Sequence, residues 1–555
     1  MRTDAQQPGD LTNAHLNGEG AILPGSYATT PTDNSYNYVA QADAPGQAGG
    51  GNVAALMAGS KWTGVDAGTQ KTVITYSFAD PQTSIYTYGD SSDFSASLTT
   101  FSEADRQTTR DVLDRIASVC NVEFVEVQDN ATECGVLRYG YSQEPTALNF
   151  AGYAFFPSSS AIGGDIWIGS AQASAQWDFY KPDLLLHETL HAIGLKHPFD
   201  SGAVLSASQN IISNTVMSYS PVAGATSGYM SQYPAAPMAM DIAALQYLYG
   251  DNTSTNAGNT VYDLAGADFQ TGFRSVWDAS GSDTFDASGI AHGVQLDLAD
   301  GAVSNVGAVV RASGTVNGAT VYTNYTATVS IAAGAGIENA VGSAYADSLF
   351  GSDASNWMQG GAGNDSIEGR GGNDVIDGGD GRDTAIYAAS RASASIDKGL
   401  NGITVATSAT GADTLVNVER VAFSDAKVAL DLAGNAGVVA KLIGAVFGAD
   451  AVHNAQFVGI GLNLVDNGMS ALAVAQLALD TRLGAHASNQ AVVDLLYTHV
   501  TGAAPSAAVE AHYVALLDNG TFTQASLAQA ASVSDANLAH IDFTGLAAHG
   551  LDYAG

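Results

Sequence analysis

The segment His187–His197 reads HETLHAIGLKH and holds three of the 11 histidines of the chain. A helix brings residues i and i+4 to one face, so His187 and His191 can reach the same ion. Gly194 allows a sharp turn after the helix, and His197 then returns as a third ligand. Three neutral imidazoles that leave a fourth position open are typical of a catalytic zinc site, not of a closed structural one.

Glu188 follows the first histidine and projects toward the same cleft. A carboxylate there can take a proton from a zinc-bound water, whose pKa falls to about 7. Pro182 suits a first helical turn and Gly194 suits a left-handed stop, so the pattern predicts a helix over about 182–193. A buried helix that carries histidines by chance is the alternative, and the five fixed positions of HExxHxxGxxH disfavour it.

Length and charge bound the class of protein. A chain of 555 residues is expected to form roughly three or four domains. Its 55 acidic and 19 basic residues give a net charge of -36, which argues against nucleic acid and anionic membrane surfaces as partners. Because 46% of the residues are hydrophobic, disorder does not explain this charge. Bound divalent cations explain it better.

The apolar runs and the two cysteines of the sequence bear on the cellular compartment and on the redox state. No apolar run approaches the ~20 residues that span a bilayer, and the first residues lack the apolar core of a secretory signal. We therefore expect no transmembrane segment, and either an intracellular protein or export without an N-terminal signal. Cys120 and Cys134 are compatible with two separate thiols or with one disulfide that closes a small loop.

A nine-residue repeat is visible in QGGAGNDSI, EGRGGNDVI and DGGDGRDTA, which are consecutive from Gln359 to Ala385. Its glycines permit tight turns, its apolar residue can fill a core, and its aspartates can point inward. Two successive turns can supply the six to eight oxygen ligands that Ca²⁺ prefers. Asn356 replaces the aspartate in the preceding unit, so a calcium site there is doubtful. The predicted calcium-site residues of the repeats are Asp347, Gly360, Gly361, Gly363, Asp365, Gly369, Gly371, Gly372, Asp374, Gly378, Gly379, Gly381 and Asp383.

The zinc motif, together with the later NTVMSYS, resembles the metzincin zinc endopeptidases, specifically the serralysin group. VMSYS is similar to the Met-turn of that family. The resemblance implies that Met217 forms an apolar floor beneath the zinc. It also implies that Tyr219 ligates the zinc and swings away to stabilise the transition state.

Other segments extend this resemblance over about 56–390. AFFPSSSAIGGDIWIGS resembles the edge strand above the zinc. This resemblance implies that the backbone of its second half pairs with the substrate backbone, which joins the sheet as an added antiparallel strand. DIAALQYLYG resembles the helix that closes the catalytic domain. The repeats resemble the RTX parallel β-roll, and VWDASGSDTFDASG resembles the approach to it, which adds Asp283 as a calcium ligand. The predicted substrate strand consists of Gly164, Asp165, Ile166, Trp167 and Ile168.

The expected architecture is multidomain. A flexible arm or propeptide-like segment covers 1–55, and an α/β (α+β) metzincin catalytic domain covers 56–255. The RTX β-roll covers 256–430. An all-α repeat domain covers 431–555, where LIGAVFGADA and LVDNGMS recur as LLYTHVTGAAP and LLDNGTF. This last domain resembles helical repeats of surface-layer-associated RTX proteins.

The predicted function is that of a secreted zinc endopeptidase with one catalytic Zn²⁺ and several structural Ca²⁺. Glu188 is the general base and Tyr219 stabilises the oxyanion. The substrate is a protein or peptide. Export by type I secretion with an uncleaved C-terminal signal, and attachment to a bacterial surface layer, follow from the resemblance. The alternative is a calcium-dependent surface or adhesion protein with a vestigial protease domain.

Overall fold

The structure is a computed structural model, and it describes residues 39–41, 51–84, 97–130, 133–158, 162–399 and 402–555. Most of the predicted N-terminal arm, residues 1–38 and 42–50, lies outside the described residues, as does the segment 159–161 before the predicted substrate strand. None of the described helices is both long and apolar enough to cross a bilayer.

Strands and helices are interspersed up to residue 250. The elements are β1 (Val39–Gln41), α1 (Gly51–Leu56), β2 (Ser60–Trp62), β3 (Thr72–Phe78), α2 (Glu103–Ala117), β4 (Val122–Glu126), β5 (Leu137–Ser142), α3 (Gln143–Ala147), β6 (Gly152–Ala154), β7 (Asp165–Gly169), α4 (Lys181–Ala192), β8 (Gly228–Met230) and α5 (Ala239–Tyr249).

Strands dominate the next part of the chain. They are β9 (Val261–Asp263), β10 (Arg274–Val276), β11 (Thr284–Asp286), β12 (Gln295–Asp297), β13 (Val303–Val316), β14 (Ala319–Ile331), β15 (Asn339–Val341), β16 (Ser348–Phe350), β17 (Trp357–Gly363), β18 (Ser366–Glu368), β19 (Val375–Gly381), β20 (Thr384–Ile386), β21 (Ala394–Lys398), β22 (Ile403–Thr407), β23 (Gly411–Val416), β24 (Arg420–Ala422) and β25 (Lys427–Ala429), with the short helix α6 (Ala267–Gln270) after β9.

Helices dominate the last part, and most of them begin at a Ser, Thr, Asn or Asp whose side chain caps the first turn. They are α7 (Asn435–Phe447), α8 (Ala455–Asp466), α9 (Ala471–Leu483), α10 (Asn489–Thr501), α11 (Ala507–Asp518), α12 (Gln524–Ser532), α13 (Asp535–His540) and α14 (Phe543–His549). The helical C-terminal region is confirmed, but it is not wholly helical. The strand β26 (Leu551–Tyr553) pairs antiparallel with the side of β25 that β24 leaves open.

The described residues form two compact units, one within residues 1–285 and 298–337 and the other within residues 286–297 and 338–555. The domain boundaries near 255 and 430 stay predictions. In the first unit, a five-stranded sheet has the order β4-β3-β5-β7-β6, with only β6 antiparallel to its neighbour. The helix α4 packs against β6 and β7. The long hairpin β13–β14 belongs to this unit as well, and β8 pairs with β13.

In the second unit, the nine-residue repeats fall alternately into two stacks of parallel strands. One stack pairs β15, β17, β19 and β23, and the other pairs β12, β16, β18, β20 and β24. Met358 pairs with Ile376, and Ile367 pairs with Ala385, so partners lie 18 residues apart. These four side chains are buried, which explains why every unit has an apolar residue at the same place.

Candidate active site

The helix α4 carries the zinc motif and ends as its sequence predicts. It runs from Lys181 to Ala192, within one residue of the expected bounds, and Pro182 lies in its first turn. Gly194 follows with φ +113°, and a Cβ there would lie 2.4 Å from the carbonyl oxygen of Ser60. Only glycine fits this turn, which redirects the chain toward His197.

Three buried imidazoles meet where this turn brings the chain back. The Nε2 atom of His197 lies 3.3 Å from Nε2 of His187 and 3.0 Å from Nε2 of His191. Ligand atoms of the three residues all lie within 4.8 Å of one another. The structure therefore brings the three predicted zinc ligands together.

The other ring nitrogens are held by acceptors, which fixes the orientation of each ring. Nδ1 of His187 donates to the carbonyl of Val216 at 2.7 Å, and Nδ1 of His191 donates to the carbonyl of Leu195 at 2.7 Å. Nδ1 of His197 lies 3.1 Å from a carboxylate oxygen of Asp200. A carbonyl acceptor requires Nδ1–H, which leaves Nε2 with the lone pair that a metal needs.

The donor set fits zinc. Burial, and then the neighbouring His197 and His187, hold the pKa of His191 well below its usual value. His191 is therefore neutral at physiological pH, as a metal ligand must be. Among the described residues the cluster offers three histidine nitrogen donors, which matches a catalytic zinc site, and Tyr219 as a further zinc ligand stays a prediction.

Tyr219 reaches the same point from the segment after α4. Its hydroxyl lies 2.8 Å from Nε2 of His197, and its ring stacks on that of His187 with centroids 5.5 Å apart. Burial, and then the charges of Glu188 and Asp200, raise the pKa of Tyr219 well above its usual value. The hydroxyl thus keeps its proton and can donate it in a hydrogen bond. Met217 is fully buried, and its role as the floor beneath the zinc stays a prediction.

Glu188 lies in the same cleft as His187 and Tyr219. Burial raises its pKa to about 8, so in the protein without metal it tends to hold a proton. A Cβ on Gly152 of β6 would lie 3.2 Å from Oε1 of Glu188. The edge of the sheet therefore passes directly beside the predicted base.

The prediction of the substrate strand is wrong in one respect. β7, which contains Asp165–Ile168, is not an edge strand, because β5 pairs with it on one side and β6 on the other. Its residues are buried throughout, and no backbone is left for an added strand. The edge position, antiparallel and beside Glu188, belongs to Gly152–Ala154.

Sequence reasoning also missed two positioning residues. Asp200 lies three residues after His197 and holds its ring, a spacing that could have suggested the contact. Asp241 accepts hydrogen bonds from the backbone N–H of Val216 and Met238, each at 2.9 Å. Nothing in the local sequence of Asp241 indicates that it supports the segment that orients His187.

The predicted calcium ligands of the repeats lie at equivalent places in the two stacks. Oδ1 of Asp365 accepts the backbone N–H of Asp347, and Oδ1 of Asp383 accepts that of Asp365, each at 2.8 Å. Among the described residues, the Oδ2 atoms of Asp365 and Asp383 are buried without a hydrogen-bond partner. A buried carboxylate oxygen of this kind suits a hard cation.

The stacks end with two acidic residues that the repeat does not predict. Oδ1 of Asp413 accepts the backbone N–H of Asp374 at 2.9 Å, and Oε2 of Glu419 accepts that of Asp383 at 2.8 Å. The nine-residue period is broken between these partners, so the sequence alone gave no signal. Asn356, in contrast, accepts from Ser352 and donates to the carbonyl of Glu338, as a neutral amide can.

Asp283, the further predicted calcium ligand, precedes the repeats in the sequence. Asp283 is buried and accepts the backbone N–H of Thr260 at 2.7 Å, within the first unit.

In two repeats, Gly361 and Gly379 have φ of +106° and +94°. In the repeat between them, the equivalent residue is Arg370, with φ +64°. Of the remaining predicted glycines, Gly360 and Gly363 lie in β17, and Gly378 and Gly381 lie in β19. Gly369, Gly371 and Gly372 lie in the segment between β18 and β19.

The two cysteines are separate buried thiols in the structure, so the disulfide alternative is not realised there. Burial raises the pKa of Cys134 to about 11 and raises that of Cys120 further. Neither thiol is therefore suited to act as a nucleophile.

Comparison with known proteins supports the resemblance to serralysins. Residues 239–440 match the family described as peptidase M10 serralysin C terminal. Serralysin G of Dickeya chrysanthemi is 33% identical over 324 residues, which cover 53% of this chain and 62% of that protein. Serralysin of Proteus mirabilis is 29% identical over 330 residues, covering 54% and 63%. Serralysin B of Dickeya chrysanthemi is 30% identical over 313 residues, covering 52% and 60%. The chain thus spans about three fifths of the length of these relatives.

Proposed function

We propose that the protein is a zinc-dependent endopeptidase that requires calcium to fold and acts outside the cell. The observation that carries the proposal is the cluster of His187, His191 and His197, whose ligand atoms lie within 4.8 Å of one another, with Glu188 in the same cleft. Similarity to serralysins over about half the chain supports the same reaction class.

Zinc held by the three imidazoles would supply Lewis acidity and an activated water. Glu188 takes the proton of the attacking water and passes it to the leaving nitrogen of the peptide. Burial raises the pKa of Glu188 to about 8 in the metal-free protein, and a nearby Zn²⁺ would lower it, so that Glu188 could accept the proton and then release it. The Tyr219 hydroxyl donates a hydrogen bond to the oxygen that gains negative charge.

The substrate backbone would add to the sheet beside β6. The strand Gly152–Ala154 is the edge of the five-stranded sheet, and its first residue lies against Glu188. A peptide that pairs with this edge comes within reach of the base, with its main-chain hydrogen bonds supplying affinity for many sequences. We therefore assign the pairing with the substrate backbone to β6, and not to Gly164–Ile168 as the sequence predicted.

Calcium would bind between the turns of the repeats, which form the proposed parallel β-roll. Burial raises the pKa of Asp365 to about 6, and the charge of Asp347 adds to this shift. Burial likewise raises the pKa of Asp374 to about 7 and that of Asp383 to about 6. Bound Ca²⁺ would offset the unfavourable negative charge of these buried carboxylates, and calcium binding would then contribute to folding. Millimolar extracellular calcium would favour folding after export. Type I secretion and surface-layer association through the helical region stay predictions.

The test of the reaction is zinc content together with casein cleavage, with and without 1,10-phenanthroline. We expect about one zinc per chain, cleavage that the chelator abolishes, and restoration by added zinc. Glu188→Gln is expected to keep zinc and to lose cleavage by several orders of magnitude. Glu123→Gln, on β4 and outside the cleft, is the matched control.

Two results separate the proposal from its alternative. Casein cleavage by Glu188→Gln at the parental rate contradicts the role of the base. A zinc-loaded parental protein that cleaves neither casein nor denatured proteins favours the calcium-dependent surface module. The calcium requirement is tested by circular dichroism, where strand signal that is unchanged after calcium removal contradicts the proposed coupling to folding.

A further inference from the structure

Asp183 is a buried carboxylate in the cleft that the proposed reaction does not use. It lies on α4 four residues before His187, about 6 Å along the helix axis. Its side chain lines the cleft, yet the residue is only 8% exposed. Its Oδ1 atom has no hydrogen-bond partner among the residues that the structure describes.

The surroundings of Asp183 make a negative charge on its carboxylate unfavourable. Burial raises its pKa well above the usual value, and the nearby carboxylate of Asp241 adds to the shift. Two other buried aspartates of this unit have a cation beside them, whereas Asp241 is held by hydrogen bonds from Thr215, Val216 and Met238. Asp105 meets Lys181, and Asp129 meets Arg138, each at 2.8 Å. The described lining of the cleft contains no lysine or arginine, so apart from the proposed zinc a bound ligand is the source of a cation that could pair with Asp183.

The walls of this cleft suit a side chain with an aliphatic stem and a charged end. Leu184, Ile212, Val216 and Pro221 give the cleft apolar walls. Tyr180 and Tyr233, whose ring centroids lie 5.1 Å apart at 68°, add an aromatic surface. Apolar walls cover aliphatic methylenes, aromatic faces attract a guanidinium, and a carboxylate pairs with it.

We propose that Asp183 binds the cationic side chain, arginine in preference to lysine, of a substrate residue next to the cleaved bond. The inference rests on the proposed function, since it takes the cleft to be the peptide-binding site. His187, Glu188 and Tyr219 line the same cleft, so the recognised residue adjoins the reacting carbonyl. Asp183 is then a specificity-determining residue.

Peptide binding tests this without depending on turnover. The probes are capped hexapeptides of glycine and alanine with one arginine at each of the six positions, and the same set with citrulline, which keeps the shape and lacks the charge. Binding to the Glu188→Gln protein is measured by calorimetry. At one or two positions we expect arginine to bind about tenfold tighter than citrulline or more, as for a charge-assisted hydrogen bond in a buried site.

The Asp183→Asn change, made in the same Glu188→Gln background, is expected to remove the preference for arginine and to leave citrulline binding within about twofold. Asp114→Asn, an exposed residue of α2, is the matched control and should keep the preference. Asp183→Ser is a second variant for the case in which the asparagine protein does not fold, as judged by circular dichroism.

Equal affinity of the two peptide sets at every position, including no binding of either, overturns the proposal. So does a preference for arginine that persists in the folded Asp183 variants. Casein cleavage by the parental protein is measured separately. Its failure contradicts the endopeptidase function and does not change the arginine–citrulline comparison.

Discussion

The carboxylate of Asp241 accepts the backbone N–H of Val216 at 2.9 Å, and the carbonyl of the same Val216 accepts Nδ1 of His187 at 2.7 Å. A single residue, Val216, thus links a fully buried aspartate of α5 to a predicted zinc ligand of α4. The Thr215 hydroxyl donates to the other oxygen of Asp241. The orientation of His187 therefore depends on a residue 54 positions further along the chain.

Removal of this support is expected to weaken zinc binding. Asp241→Ala leaves the Val216 and Met238 amides without their acceptor, so the segment can shift and His187 loses its fixed orientation. We expect zinc affinity to fall by about 10–100-fold, as for other partners of metal-bound histidines. Competition with a chromophoric chelator measures this, with Asp114→Asn as control. Parental zinc affinity in a folded Asp241→Ala protein would contradict the link.

Tyr219→Phe is expected to separate catalysis from zinc binding. The phenyl ring keeps its stacking on His187, while the hydroxyl that lies 2.8 Å from His197 is lost. Three imidazoles still hold the metal, so zinc content should stay near one per chain. The kcat for a peptide substrate should fall by about 10²–10³, with a smaller change in KM, if the hydroxyl stabilises the transition state. The exposed Tyr322→Phe serves as control, and an unchanged kcat in Tyr219→Phe would rule out the role.

The calcium-free protein is expected to lose stability as pH rises. The folded-state pKa of Asp365 and Asp383 is about 6 and that of Asp374 is about 7, against a usual value of 3.8 for an aspartate. The folded state therefore binds more protons than the unfolded state between about pH 4 and pH 7, and stability decreases through that range. Urea unfolding of calcium-depleted protein at pH 5 and pH 8 measures the difference.

Two controls sharpen this prediction. The triple change Asp365→Asn, Asp374→Asn, Asp383→Asn should flatten the pH dependence, because amides do not titrate there. Saturating calcium at pH 8 should restore stability in the parental protein and not in the triple variant. Stability of calcium-free parental protein that rises from pH 5 to pH 8 would be inconsistent with the buried charges.

Arg370 is expected to respond differently to glycine and to alanine. Its φ of +64° is the conformation that glycine adopts at the equivalent positions of the adjacent repeats. Its guanidinium pairs with Asp297 at 2.7 Å and also donates to the carbonyl of Gly351. Arg370→Gly loses the ion pair and removes backbone strain, whereas Arg370→Ala loses the ion pair and keeps the strain.

The alanine variant should therefore be less stable than the glycine variant by about 1 kcal/mol. Urea unfolding in saturating calcium gives this difference, and Asp297→Asn reports the ion pair alone. Equal stability of the glycine and alanine variants would show that the left-handed conformation is not retained in solution.

The local spacing in the sequence was enough to predict the ligand cluster and the period of the repeats. Two histidines one helical turn apart and a glycine that turns the chain are constraints within eleven residues, and α4 follows them within one residue at each end. The apolar residue of each repeat is buried for the same reason, because a nine-residue period with a kept apolar position has to bury that residue in every unit.

Tertiary structure alone decided what surrounds that cluster. Sheet order places β6, and not β7, at the edge beside Glu188, because β5 and β6 pair with the two sides of β7. The supporting contact of Asp241, and the burial of Asp183 in a cleft whose described lining has no lysine or arginine, also arise between segments far apart in sequence. No local pattern specifies such contacts, since they depend on which buried groups the packed fold brings together. The sequence thus determined which residues can hold the metal, and the fold decided which residues orient them and what the cleft can bind.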